Sequence, residues 1–274
     1  MKKYLFPLLA LLLGAVGAYA RAWQLDVAFE ADTGLLVPNA PATRLLLGAA
    51  ILAVCLTLAC ALSCLGKRAD AQAAVGAGSP ALRGLMVLPA LGYLLAGVML
   101  VQEQLPHLPA GASTLLARYL PLLLGVILAV SGVGLLAIVW RPDPQRWRPG
   151  TLAMTAMLPG FACCLMLVYV YHENANNPVV AAFAWPELAM VAAVLAWYRL
   201  ARFAFQPEGC ALPCWFGLLA MALQLTVLPD VQGTPFRLVL LSNLLWFGLH
   251  LWQMLGAMIP VPTAEEPSAS PEQE

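Results

Sequence analysis

Residues 179–200 read VVAAFAWPELAMVAAVLAWYRL. As a helix this stretch rises about 33 Å, enough to cross roughly 30 Å of hydrocarbon. It carries one acid, Glu187, placed directly after Pro186, and one base near its end, Arg199. A helix apolar on every side belongs either in the core of a large protein or in a membrane. The rest of the chain decides which. Its 274 residues are 62% hydrophobic and 10% charged, with a mean hydropathy of +0.82. Soluble domains run near 45–50% apolar and about 25% charged. No folded interior of this length encloses that much apolar surface, so lipid must solvate it. The expected fold is all-α, a polytopic transmembrane helix bundle, because only helices or closed barrels satisfy their backbone in lipid.

Working outward, comparable runs lie near 4–20, 44–65, 84–102, 118–140, 151–171, 211–229 and 237–258. Polar, turn-forming stretches separate them: GKRADAQAAVGAGSP (66–80), RPDPQRWRPG (141–150), HENANNP (172–178) and QPEG (206–209). Pro178 suits a helix start, where a missing N–H costs nothing. Eight helices with a cytoplasmic N-terminus put Lys2, Lys3, Lys67, Arg68, Arg83, Arg141, Arg146, Arg148, Arg199 and Arg202 inside. Arg21, Arg44, Arg118 and Arg237 fall outside. That bias is the positive-inside pattern, with both termini cytoplasmic. Tyr4, Trp140, Trp197, Tyr198 and Trp215 would sit at the inner headgroup level, and Trp23, Tyr119, Tyr169 and Tyr171 at the outer one. Residues 1–260 form the transmembrane domain. The tail VPTAEEPSASPEQE reads as an acidic, disordered cytoplasmic end over 261–274.

The opening MKKYLFPLLALLLGAVGAYARA also has a secretory-signal pattern, with a cut after Ala20 that would leave seven helices. Retention is the expectation here, because seven further spans need no separate export signal.

The outer loop RAWQLDVAFEADTGLLVPNAPAT (21–43) and the turn NANNPVV (174–180) resemble stretches of uncharacterised multi-pass membrane proteins of anaerobic gut bacteria. That resemblance implies a bacterial cell membrane and no particular chemistry.

Zero net charge argues against nucleic acid as a partner. Neither GxxxxGK[ST] nor HExxH occurs, so the usual marks of nucleotide hydrolysis and of a zinc-dependent protease are missing. No catalytic motif and no cofactor are expected. The strongest chemical lead is Glu187, about 12 Å below the outer end of its helix. Pro186 removes the donor for the carbonyl of Ala182 and kinks the helix, so Glu187 should face the bundle. Asn243, His250 and Gln253 share a face of the last helix, and Gln224 on the seventh could join them. A Glu187–His250 pair could share a proton. Equally, such polar side chains could only pin helices together. Pro159 with Gly160 marks a second break at middle depth, which could border the same cavity.

Cys210 and Cys214 have metal-pair spacing near the inner face, but no two further ligands stand nearby and a zinc site wants four; palmitoylation and inert thiols are the other readings. Cys60 and Cys64 read as small packing residues. The expected partners are the lipid bilayer and a small ion or metabolite, as for a small transporter or ion-coupled carrier. The alternative is a non-catalytic subunit or scaffold that binds another membrane protein through the apolar residues of the first outer loop.

Overall fold

A computed structural model describes residues 2–30, 32–69, 80–107, 115–140, 147–205 and 208–260. The tail at 261–274 lies outside the described residues, as do 70–79, 141–146 and 206–207 of the expected turns. The described residues form eight α-helices: α1 (Lys2–Val27), α2 (Pro41–Leu62), α3 (Pro80–Gln104), α4 (Leu115–Trp140), α5 (Pro149–Asn174), α6 (Val180–Arg202), α7 (Ala211–Thr226) and α8 (Thr234–Gly256). Seven are long and apolar enough to cross a membrane; α7, with 16 residues, is the short one. Pro41 and Pro149 open α2 and α5, where their missing N–H is harmless.

The exterior is apolar. Leu8, Leu12, Ile51, Leu88, Val133 and Met154 are each at least half exposed or close to it. Contiguous apolar surface on this scale calls for lipid around it. Helix α8 is the most enclosed span. It packs on α3, α7 and α1, while α4 and α5 close the bundle between α3 and α6, and α2 lies against α1 and α7.

The α3–α4 crossing depends on glycine. A Cβ on Gly97 would stand 2.3 Å from the Ala129 nitrogen, and one on Gly132 would stand 2.5 Å from the Leu94 nitrogen. Backbone cannot yield as a side chain can, so these two positions let the helices touch main chain to main chain.

Two features depart from the sequence reading. Helix α1 does not end near Ala20 but continues to Val27, so the first loop shrinks to a small turn closed by a Phe29–Leu36 bridge. The extra two turns are possible because Arg21 and Gln24 have buried partners, described below. The other is a small sheet, which an all-helical expectation does not include. Strands β1 (Lys67–Ala69), β2 (Glu208–Gly209) and β3 (Ile259–Pro260) pair antiparallel in the order β2-β1-β3. They gather the chain after α2, before α7 and after α8 at one end of the bundle, here the sheet end.

Candidate functional site

At the opposite end a cavity of about 290 Å³ opens between α5, α6, α8 and the α7–α8 turn. Apolar Met166, Met190 and Leu240 lie deep in it, while Glu173, Asp230 and Gln232 provide polar lining. Tyr169 and Phe236 stack across its wall, ring centroids 5.3 Å apart. Pro186 is part of the lining. We call this cavity the vestibule.

Behind Asp230 stands Arg21, fully buried. Its Nε donates to both carboxylate oxygens of Asp230 at 2.9 and 3.0 Å and its Nη2 donates to Oδ1 at 2.5 Å, so two guanidinium nitrogens hold the carboxylate. Its Nη nitrogens also donate to Gln24, to the Ala181 carbonyl and, at 2.8 Å, to the Ala182 carbonyl. Gln24 in turn donates to Thr43 on α2. The Ala182 contact answers the question raised by Pro186. The carbonyl that the proline deprives of its helical donor is taken over by a cation from α1. One guanidinium thus ties α1 to the start of α6 and to the α7–α8 turn. Burial pushes the Asp230 carboxyl up and the Arg21 guanidinium pulls it down, burial being the larger influence.

Arg21 was expected at an outer loop, and neither it nor Asp230 was singled out from sequence. The available signal was Arg21 and Gln24, three apart with apolar neighbours between and around them, which on a continuing helix share a face.

The residues singled out from sequence do not come together. Glu187 is half-buried on the flank of α6, in an apolar recess with Leu167, Val168 and Tyr171 of α5 and Leu188 and Val191 of α6. Val168, Tyr171, Leu188 and Val191 are exposed apolar residues, so Glu187 lies toward the periphery of the bundle and not its centre. Its Oε1 has no hydrogen-bond partner among the described residues. Gln224 does reach α6 at a nearby level, donating to the Ala189 carbonyl at 2.9 Å. His250 packs its ring against Phe203, centroids 6.2 Å apart. Phe203 is sixteen residues beyond Glu187, about 24 Å along the helix, which rules out a shared proton. Gln253 donates to the Met86 sulfur.

Asn243 is the hub of a separate knot. Its Oδ1 accepts from the Tyr93 hydroxyl and from the Trp197 indole at 2.9 Å, and its amide donates to the Cys163 sulfur at 3.6 Å. Four helices (α3, α5, α6 and α8) meet there. Trp197, expected at headgroup level, is fully buried and rests against Phe247, Trp246 and Tyr93. Its size and apolar body suit the bundle centre, and Asn243 satisfies its N–H. Pro159 is buried in the same region: Gly160 beside it would place a Cβ 3.2 Å from the Trp197 Cβ. Thus the two helix breaks serve different places, Pro186 the vestibule and Pro159 the knot.

Among the described residues no three Cys, His, Asp or Glu side chains converge as metal ligands would. Comparison with protein-family models, with curated proteins and with solved structures finds no match to this chain.

Proposed function

We propose that this chain is a multi-pass carrier of a bacterial cell membrane that takes a small organic cation into the vestibule. The observation that carries this reading is the lining itself: the Glu173 carboxylate beside a stacked Tyr169–Phe236 pair, above an apolar floor. Carboxylate charge and aromatic faces together favour a cation with apolar substituents. Asp230 adds little net charge because Arg21 neutralises it. The vestibule faces outward in this reading. The sheet end bears Lys2, Lys3, Lys67, Arg68, Arg199 and Arg202, the surplus that belongs on the cytoplasmic side.

The test is saturable binding of radiolabelled tetraethylammonium to the protein in nanodiscs, followed by its uptake into proteoliposomes. Glu173→Gln should weaken binding roughly tenfold, about 1.4 kcal/mol. A wild-type protein without saturable binding ends the proposal.

A second reading, a membrane subunit that binds but does not transport, is favoured by one observation. The way inward from the vestibule is filled by the hydrogen-bonded Asn243 knot. Binding in nanodiscs with no uptake by proteoliposomes would select it.

A further inference from the structure

At the sheet end the fold joins two cysteine pairs that are 146 residues apart in sequence at their nearest members, Cys64 and Cys210. Cys60 and Cys64 are one helical turn apart at the end of α2. Cys210 and Cys214 are one turn apart at the start of α7. All four are free thiols and all are buried. The sheet enforces the meeting. Arg68 pairs with Gly209, and the Cys210 N–H donates to the Lys67 carbonyl at 3.0 Å. Sequence alone, which shows no two further ligands near Cys210 and Cys214, does not reveal this meeting with Cys60 and Cys64.

Within the cluster, Cys64 and Cys214 neighbour each other across the α2–α7 contact, in one buried core with Cys60 and Cys210. The Cys64 Sγ also contacts the Cys60 carbonyl at 3.6 Å. The Lys2 ammonium is fixed one residue away, on the Ser63 carbonyl at 2.8 Å, and Lys67 follows in β1. Among the described residues no three ligands converge here as a metal cage would require. Two neighbouring buried thiols beside two ammonium groups make a different kind of site.

We propose that Cys64 and Cys214 form an oxidisable dithiol, closed by peroxide into a disulfide that staples the end of α2 to the start of α7. Hydrogen peroxide is the oxidant because it is small, uncharged and able to reach thiols with no open surface. The Cys64 thiolate attacks one peroxide oxygen; the O–O bond breaks, and hydroxide leaves and is protonated to water. The resulting sulfenic acid is attacked by the Cys214 sulfur, which gives up its proton as the S–O bond breaks and a second water departs. The balance is two thiols and one peroxide to one disulfide and two waters. A thiol reductant reverses the step.

Cys64 is the attacking partner. The neighbouring Cys214, with help from Ser63, Lys2 and Lys67, outweighs burial and holds the Cys64 thiol below its usual range. Cys55 and Cys164, the two exposed cysteines, lie outside this cluster.

The experiment uses the full chain in native membranes, treated with hydrogen peroxide and then mapped by mass spectrometry after thiol blocking. The expected result is a Cys64–Cys214 linked peptide that dithiothreitol removes. Cys214→Ser should stop at a Cys64 sulfenic acid that dimedone traps, and Cys163→Ser should leave the linkage intact. Oxidation should slow as the pH is lowered from 7 to 5, because the thiolate is the attacking form. Oxidation confined to Cys55 and Cys164, or zinc released in equal amount to the protein on denaturation, would overturn the proposal. If Cys214→Ser fails to fold, the wild-type peptide map still decides.

Discussion

Arg21 and Glu187 are both charged groups toward the vestibule end of the bundle, and the fold treats them in opposite ways. Arg21 has the bland setting in sequence, the end of an apolar run, yet it is wholly buried with hydrogen bonds to α6 and the α7–α8 turn. Glu187 has the conspicuous setting, after a proline inside a span, yet it lies half-buried in a peripheral apolar recess. The lesson is that the cost of a charge in a membrane depends on how completely its neighbours satisfy it, and depth alone does not set it. The proline beside Glu187 does matter, but through the Ala182 carbonyl that it frees and to which Arg21 donates.

The largest effect should come from breaking the buried ion pair. Asp230→Ala leaves the Arg21 guanidinium buried without its counter-charge, and should cost about 3–5 kcal/mol in a denaturant titration in mixed micelles. Replacing both residues with leucine should recover much of that loss. If Asp230→Ala unfolds like the wild type, the buried pair is not what holds this end together.

A finer measurement asks whether Arg21 compensates for the proline. Pro186→Ala supplies an N–H for the Ala182 carbonyl, so Arg21→Leu should destabilise that background less than the wild type. A double-mutant cycle should give a coupling of about 1 kcal/mol. Strict additivity would separate the two residues.

The smallest effect should belong to Glu187→Gln. Its recess offers no hydrogen-bond partner to Oε1 among the described residues. The unfolding free energy should therefore change by no more than about 0.5 kcal/mol. A loss comparable to that of Asp230→Ala would return Glu187 to the centre of the molecule's energetics.

Much of the fold was legible because hydropathy is a local property. Each run such as 237–258 carries its own requirement for lipid or for a helical neighbour, and polar breaks mark where it stops. The exception at α1 is instructive. Arg21 and Gln24 imitate a helix end, and only their distant partners make continuation favourable. The candidate site was less legible. Asn243 stood out as polar in an apolar helix, but its partners Tyr93, Trp197 and Cys163 lie 46 to 150 residues away. Cys60 and Cys64, read alone, were indistinguishable from packing residues.

Sequence by itself determined that these segments are helical and require an apolar solvent, because backbone hydrogen bonds and side-chain transfer energies are settled within each segment. Only the tertiary structure decided which polar groups meet: Arg21 with Asp230, Asn243 with Trp197, Cys64 with Cys214. Those meetings depend on the rotation and register of one helix against another. Small residues such as Gly97 and Gly132 set them through close contact, which no single segment records.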